Sequence, residues 1–454
     1  MNKKALSIFF SILILATALS GCISGGGDTD DMETTTAPPT SAPTNAPTTA
    51  APTTSAPTQP PTTAPATPAL VHNECSTSYK DLDPGNTRYY DCSISNVPNE
   101  QWRTESIILS NITTDYDMVF FIARENGDYK LQSLDVNTGD LLWSKDLPFL
   151  RFYELILQDE KLYVFQNGDE NVLICYDAHD GSMLWISEDV YALYPDIGDL
   201  LVRGMNYSDD KIFVTMGEAG SNTVIFCCFN AKNGEIIWHK QDQYDNHSNN
   251  LSIDGGVLYY SIMKFDGDWN TYSKVLGLDI DTGNLVYEYT PPDRYDQLNG
   301  RDIVVSNGLI YAMTVDYETY KHCIICISNT SNNIIWSCDI GDNWGDHFIV
   351  GDGQVFVNMY EGIICINKVT GQELWNKQMD NHLANLPYAT DDKLIVFRSQ
   401  YQGEISPEIK YLDVNTGVEI WSMVLNGTYL EKGASFYEDK VLVGTDNGYI
   451  YCFI

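Results

Sequence analysis

Apolar and polar positions alternate along most of the chain after residue 90, in short runs that turn signals separate. The clearest example runs from Leu134 to Trp143 and reads LDVNTGDLLW. An apolar strand leads into a turn that favours a residue with positive φ at Gly139, and a second strand follows and ends in an aromatic residue. This pattern predicts a β-hairpin.

The hairpin pattern recurs, and each copy ends in an aromatic side chain. Six copies keep the glycine four residues before the aromatic, and Asn332 replaces it before Trp336; asparagine also tolerates positive φ. A spacing of 39 to 53 residues, with four strands in each unit, predicts a β-propeller whose aromatics fill the space between blades. These repeat aromatics are Trp102, Trp143, Trp185, Trp238, Tyr287, Trp336, Trp375 and Trp421.

The two ends of the repeat region complement each other. The last residues, 441–454, form the first half of a copy and stop before its turn. The second half occurs at the start of the repeats, where Ser93 to Trp102 ends in the aromatic and Pro98 stands in the glycine position. We therefore expect an all-β, eight-bladed propeller of four-stranded antiparallel blades, closed by an N-terminal strand that pairs into the last blade. Seven blades would result if Trp102 were incidental.

The N-terminus carries an export pattern. Lys3 and Lys4 precede an apolar run, Ala5 to Ala18, and the tetrapeptide LSGC ends at Cys22. This order predicts a signal peptide over 1–21, and LSGC resembles the lipobox of lipoproteins, which implies a lipid on Cys22. An ordinary signal peptide with an incidental cysteine is the alternative. The Thr/Pro/Ala-rich segment predicts a disordered stalk over 22–72, and 73–454 is the predicted propeller domain.

Charge narrows the set of partners. The formal net charge is −36, and so acidic a surface repels phosphate backbones, which excludes most nucleic-acid binding. It is not attracted to anionic lipid either, so we expect contact with a membrane only through the lipid anchor. The predicted location is the outer face of the cell membrane.

The repeat copies resemble the PQQ-like (quinoprotein-type) β-propeller family over about residues 90–454. Together with the lipobox, the layout is similar to that of the BamB lipoprotein family, which implies an eight-bladed scaffold without a cofactor. Quinoprotein dehydrogenases, which resemble the same repeat, bind PQQ with Ca²⁺ and place a vicinal disulfide over it. A PQQ-dependent dehydrogenase is therefore an alternative function.

The cysteines argue against that alternative. Cys227 and Cys228 are vicinal, but they lie in an apolar run that predicts a strand. A cysteine ten residues before the aromatic recurs in several copies, which predicts a small buried core position. Cys323 and Cys326 share this strand setting, and no second pair completes a zinc site. We expect no catalytic residues, no metal and no cofactor.

Residues outside the repeat pattern are the candidates for binding and modification. Aromatic residues in polar, loop-like stretches are candidate anchors for a protein or a sugar: Trp269, Tyr272, Trp344, Tyr191 and Tyr401. Packing over the blades is the alternative, favoured for the tyrosines. Cys75 and Cys92 are a candidate disulfide. Six sequons predict N-glycosylation, at Asn111, Asn206, Asn246, Asn250, Asn329 and Asn426.

The leading functional prediction is a non-catalytic interaction scaffold that binds envelope or surface proteins. A propeller that binds surface glycans or a small ligand is the second prediction, and the dehydrogenase is the third.

Overall fold

Short antiparallel strands make up nearly all the regular structure in the computed structural model. It describes residues 89–90, 94–148, 154–168, 170–218, 221–244, 246–247, 251–265, 271–295, 297–341, 345–359, 362–379, 388–398, 408–425, 434–445 and 448–454. Within these residues, the only helical segments are two 3-10 turns, at Val190–Ala192 and Asp293–Tyr295. None of the described segments forms a helix of the length and hydropathy needed to cross a bilayer.

The strands form eight sheets, which are the blades. In chain order, the first two strands are β1 (Tyr89–Tyr90) and β2 (Glu100–Glu105). Blades 1 to 4 then contain β3 (Ile107–Ile108), β4 (Thr113–Asp115), β5 (Met118–Glu125), β6 (Asp128–Asp135) and β7 (Leu141–Leu147); β8 (Leu155–Gln158), β9 (Lys161–Asn167), β10 (Asn171–Asp177) and β11 (Met183–Ile186); β12 (Leu200–Ser208), β13 (Lys211–Glu218), β14 (Thr223–Asn230) and β15 (Ile236–Gln243); and β16 (Asn246–His247), β17 (Ser252–Asp254), β18 (Val257–Phe265), β19 (Thr271–Asp279) and β20 (Leu285–Tyr289).

Blades 5 to 8 follow the same plan. They contain β21 (Gln297–Ser306), β22 (Leu309–Asp316), β23 (Lys321–Ser328) and β24 (Ile334–Gly341); β25 (Gly345–Val350), β26 (Gln354–Met359), β27 (Gly362–Asn367) and β28 (Glu373–Gln378); β29 (Tyr388–Thr390), β30 (Lys393–Arg398), β31 (Glu408–Asp413) and β32 (Glu419–Val424); and β33 (Ala434–Tyr437), β34 (Lys440–Thr445) and β35 (Tyr449–Phe453) with β2. In blades 1 and 4 two short strands share the first position. The predicted eight-bladed propeller is therefore confirmed.

The N-terminal strand closes the ring. β2 pairs antiparallel with β35 and places Trp102 opposite Cys452. Beyond the strand ends, Asn99 N–H donates to the Ile454 carbonyl at 2.8 Å, and Ile454 N–H donates back to Asn99 at 3.0 Å. The prediction of a closing N-terminal strand is confirmed, and Trp102 is a true repeat aromatic. β1 adds a contact that we did not predict, a parallel pairing with β29 in blade 7.

The repeat tryptophans join neighbouring blades. A Cβ atom built on Gly139, which has φ 75°, would lie 2.7 Å from the Trp102 ring of the preceding blade. The Trp102 indole N–H also donates to the Val136 carbonyl at 2.9 Å. Five further glycines meet the preceding aromatic in the same way, namely Gly181, Gly234, Gly283, Gly371 and Gly417. Glycine is required at this position for two reasons: the turn has a left-handed φ, and the aromatic ring of the preceding blade leaves no room for a Cβ atom.

The junction between blades 4 and 5 departs from this pattern. Tyr287 replaces the tryptophan and packs edge-on against Tyr259, with ring centroids 5.4 Å apart. The Asn329 amide of blade 5 donates to the Tyr259 hydroxyl at 3.1 Å. Asn332 keeps the left-handed turn with φ 54°. A smaller aromatic and a turn residue that carries a Cβ thus occur at the same junction.

The recurrent cysteines occupy one core position. In register, Cys175 lies opposite Trp185 and Cys228 lies opposite Trp238. Cys326, Cys365 and Cys452 lie opposite their own tryptophans. All eight cysteines in the described residues are buried free thiols. The prediction of a small buried core position is confirmed.

Candidate functional site

The propeller has two different faces. In each blade the turns after the first and third strands lie at one end, because successive strands run antiparallel. One backbone hydrogen bond links these two turns in seven blades, for example from Val136 N–H to the Asp117 carbonyl at 3.0 Å. We call this end the turn face. The opposite end, the loop face, carries the turns after the second strands and the connections between blades.

Carboxylates dominate the turn face. The turn after the first strand carries at least one carboxylate in six blades, and in blade 4 Asp254 ends the strand before that turn. The turn carboxylates are Asp117, Asp159, Glu160, Asp209, Asp210, Asp352, Asp391, Asp392, Glu438 and Asp439. In four blades the other turn begins with an aspartate whose side chain accepts hydrogen bonds from the turn backbone, at Asp135, Asp177, Asp279 and Asp413. Asp279 Oδ1 accepts from Thr282 N–H at 2.8 Å and from its hydroxyl at 2.7 Å, and the hydroxyl bond is the main cause that lowers the Asp279 pKa. These aspartates therefore shape turns.

The loop face receives the connections that contain the predicted binding aromatics. Trp269 lies in the connection between Phe265 and Thr271, and Trp344 lies between Gly341 and Gly345. Trp269, Trp344 and Tyr401 are outside the described residues. The backbone of Tyr272 belongs to β19, and its side chain is outside the description. The described ends of these connections all lie at the loop face.

Tyr191 is the one predicted anchor whose side chain is described. It lies in the 3-10 turn between blades 2 and 3, where the Asp189 side chain accepts from its backbone N–H. Its ring packs against the core of these blades, and its hydroxyl accepts from Leu200 N–H at 3.2 Å. The Tyr191 side chain therefore packs between blades 2 and 3, and its role as a binding anchor stays a prediction.

The turn after the second strand of blade 5 presents two tyrosines that we did not predict. Tyr317 is 37% exposed and Tyr320 is 58% exposed. Arg294, from the connection between blades 4 and 5, binds Asp316 at the base of this turn, with Nε–Oδ1 2.9 Å and Nη2–Oδ2 2.5 Å. The Arg294 bond lowers the pKa of Asp316 to about 2. One sequence signal could have identified these tyrosines, namely the string DYETYK between two apolar strands.

A second unpredicted surface runs around the outer rim. The residue before the repeat aromatic is aliphatic in all seven complete copies, and each is 37–56% exposed. These residues are Leu142, Leu184, Ile237, Val286, Ile335, Leu374 and Ile420. Each lies on the last strand of its blade, which is an edge strand. Exposed aliphatic residues on edge strands favour association with other proteins.

A cleft of about 360 Å³ lies at the seam between blades 8 and 1. Ile107 and Phe121 supply apolar lining, and Glu105, Arg124 and Gln132 supply polar lining. No group of three or more His, Cys, Asp or Glu side chains suited to a metal occurs in the part of the chain that the structure describes.

The vicinal cysteines do not fit a cofactor-covering disulfide. Cys227 and Cys228 are consecutive residues of β14, so their side chains point to opposite faces of the sheet. Cys227 is buried in the core between blades 2 and 3, and Cys228 in the core between blades 3 and 4. Burial raises the pKa of Cys227 and raises that of Cys228 to about 12. Both are inert core thiols.

The sequons whose side chains are described hold blades together. Asn111 Nδ2 of blade 1 donates to the Leu155 carbonyl of blade 2 at 3.0 Å. Asn206 is 3% exposed, and its Nδ2 donates to the Leu251 carbonyl of blade 4 at 2.8 Å. Together with the Asn329 bond described above, these contacts engage the nitrogen that a glycan would modify. The folded propeller therefore does not support the glycosylation prediction at Asn111, Asn206 and Asn329.

The remaining predicted modification sites have side chains outside the described part of the chain. The side chain of Asn246 is outside the description, although its backbone belongs to β16. Asn250, Asn426, the candidate disulfide partners Cys75 and Cys92, and Cys22 lie outside the described residues.

Comparison with known families decides the affiliation. The family described as "Outer membrane protein assembly factor BamB" matches residues 157–333 and 320–453. The chain belongs to this family. No curated protein is similar enough in sequence to count as a relative. The family match agrees with the repeat pattern and with the resemblance stated above.

Solved structures share the fold at low identity. BamB from Moraxella catarrhalis has a TM-score of 0.51 and 12% identity, covering 78% of this chain and 99% of that one. Quinohemoprotein alcohol dehydrogenase from Comamonas testosteroni has a TM-score of 0.60 and 12% identity, covering 83% and 80%. The computationally designed Ika8 protein has a TM-score of 0.56 and 14% identity, covering 80% and 99%. Such likeness establishes the fold and leaves the activity open.

Proposed function

We propose that this chain is a non-catalytic protein-interaction scaffold, held on the outer face of the cell membrane by a lipid on Cys22. The observation that carries the proposal is the outer rim, where all seven complete repeats present an exposed aliphatic residue on an edge strand. Its membership of a family described as an assembly factor supports the same function. The Thr/Pro-rich stalk, in polyproline form at about 3.1 Å per residue, would hold the propeller on the order of 100 Å from the membrane.

The first experiment is purification of the full-length chain from its own membranes after mild cross-linking. We expect one envelope protein to co-purify in constant proportion across preparations. Replacing Leu142 and Leu184 together by glutamate should reduce its yield, because the substitutions place charge on the apolar rim. Val369→Glu is the matched control, since Val369 is 75% exposed but lies in a turn and not on an outer strand. If no protein co-purifies with the unsubstituted chain, the scaffold proposal is wrong.

The anchor has a separate test. Cys22→Ser should release the chain from washed membranes into the supernatant, because the lipid can no longer be attached. Cys228→Ser is the control, since Cys228 is a buried thiol in β14. A Cys22→Ser chain that stays with the membrane as firmly as the control would contradict lipid anchoring.

A glycan-binding propeller is the second candidate. Tyr317 and Tyr320 favour it, because exposed tyrosine rings on a turn that Arg294 stabilises can also stack on sugar rings. A glycan array probed with the full-length chain separates the two candidates. Saturable binding to one glycan class, without a co-purifying protein, would favour this second function.

A further inference from the structure

Tyr320 adopts a backbone conformation that is unfavourable for a residue with a bulky side chain. Its φ is +60°, in the left-handed region, where a bulky residue is strained and glycine or asparagine is preferred. The ring is 58% exposed, so packing within the chain repays little of that strain. Tyr116 offers a comparison, with φ +57° but only 8% exposure in the core between blades 1 and 2. Packing explains the tyrosine at 116 and does not explain the one at 320.

The surrounding turn is held in one shape. Asp316 accepts two hydrogen bonds from Arg294 and one from Glu318 N–H at 2.9 Å. The Tyr317 N–H donates to the Arg294 carbonyl at 2.9 Å, and Tyr320 N–H donates to the Asp316 carbonyl at 2.6 Å. The two rings are therefore presented on a pre-organised turn, which lowers the entropy that a partner loses on binding.

The charges around this turn favour a partner that carries positive charge. Arg294 pairs with Asp316 and Glu318, and Lys321 pairs with Asp339. With Asp293 in the adjoining 3-10 turn, four carboxylates face two cations, so the local charge stays negative. The whole chain carries −36. An acidic surface that carries two exposed tyrosine side chains is complementary to a lysine or arginine side chain, which an aromatic ring attracts by its quadrupole and the carboxylates attract by their charge.

We propose that the blade 5 turn, Tyr317 to Tyr320, is a docking surface for a basic segment of a partner protein, with lysine or arginine side chains over the two tyrosine rings. The proposal deepens the scaffold function and rests on it. The surface lies on the loop face, in the turn between β22 and β23.

Site-specific photo-cross-linking tests the surface in the full-length chain. A benzophenone amino acid replaces Tyr320 in one variant and Val369, on the turn face, in the control. Both are expressed in cells of the native host and illuminated, and the cross-linked peptides are sequenced by mass spectrometry. We expect a peptide of positive net charge from one partner at position 320 and none of it at position 369. Cross-links to residues 28–69 of this chain, to glycan, to both positions alike, or to nothing would overturn the proposal.

Binding of the identified peptide then tests the rings themselves. A synthetic copy of the cross-linked segment is titrated against the full-length chain and against the double variant Tyr317→Ala/Tyr320→Gly. The variant keeps every charge, so non-specific attraction is unchanged, and we expect affinity to fall about 5- to 30-fold. Equal affinity for both proteins would show that the rings do not take part. If the partner still co-purifies with the double variant at full yield, the scaffold function survives and the blade 5 surface is wrong.

Discussion

The contact between glycine and the repeat tryptophan allows two sources of strain to be separated within one blade. Gly283 and Gly255 both belong to blade 4 and both have positive φ, 68° and 58°. A Cβ on Gly283 would lie 2.7 Å from Cδ2 of Trp238, whereas a Cβ on Gly255 would meet nothing within 4 Å. Replacement of each glycine by alanine therefore adds the same backbone strain, and only Gly283→Ala adds a clash.

The expected losses follow from these contacts. An alanine in the left-handed region costs about 1–2 kcal/mol, so Gly255→Ala should lower the free energy of unfolding by that amount. Overpacking adds about 1–3 kcal/mol, because Trp238 is 9% exposed and its indole N–H is bonded to the Ile280 carbonyl at 2.9 Å. Gly283→Ala should therefore cost about 2–5 kcal/mol in total.

Urea unfolding of the two variants is the assay, because in a domain of this size each kcal/mol moves the melting temperature by only about 1–2 °C. A double-mutant cycle supplies the control. In a Trp238→Ala background the ring is absent, so Gly283→Ala should cost no more than Gly255→Ala does. Equal losses for the two single variants, or an undiminished loss in the Trp238→Ala background, would refute the proposed role of the glycine.

Three further predictions concern tyrosines, thiols and asparagines. Tyr320→Gly should leave the free energy of unfolding within about 1 kcal/mol of the original, because relief of φ strain offsets the entropy of glycine in the unfolded chain. Tyr116→Gly should lower it by about 2–4 kcal/mol in the same urea assay, because a buried ring is lost. A loss at position 320 as large as that at position 116 would contradict the strain argument. Burial raises the pKa of Cys365 and Cys452 to about 12, against about 8.5 in the unfolded chain. The stability that the protonated thiols contribute is therefore fully present below about pH 8.5. As the pH rises from there to about 12, each thiol lowers the free energy of unfolding by about 1.4 kcal/mol per pH unit. Urea midpoints between pH 8 and 11 should show this decline, with a shallower slope for Cys365→Ala, and a midpoint independent of pH would exclude it. Glycopeptide mass spectrometry of the native protein should find Asn111 and Asn206 unmodified, and a glycan on either would show that its blade-to-blade hydrogen bond is dispensable.

The repeat fold could be predicted because local sequence patterns specify it. Each copy specifies its own hairpin through a turn that needs positive φ, as at Gly139, and through alternation along the flanking strands. A repeat that cannot bury its faces alone must stack on its neighbours, so the period gave the number of blades. The half copies at the two ends gave the closure through Trp102. The core position of the cysteines followed from their constant distance to the aromatic.

The candidate sites were less predictable, because exposure and hydrogen-bond partners depend on residues that are distant in sequence. Tyr191 has the sequence setting of a loop anchor, yet its hydroxyl is bonded to Leu200 and its ring is packed. Tyr320 was not singled out, because neither its φ nor its exposure shows in the sequence. Asn111 and Asn206 match a modification motif, yet their amides bond to neighbouring blades. Sequence patterns identify residue types but do not show which other residues these side chains contact.

The sequence by itself therefore determined the architecture and the acidic character of this protein. Strand alternation, turn chemistry and charge depend on residues near one another in the chain. Only the tertiary structure decided which face each turn occupies, that Arg294 holds the blade 5 turn, and that Cys227 and Cys228 belong to two different cores. Arg294 and Asp316 are 22 residues apart, and the cores that hold Cys227 and Cys228 form only where blade 3 packs against each of its neighbours. Such contacts depend on how strands and blades stack, which a local sequence pattern does not specify.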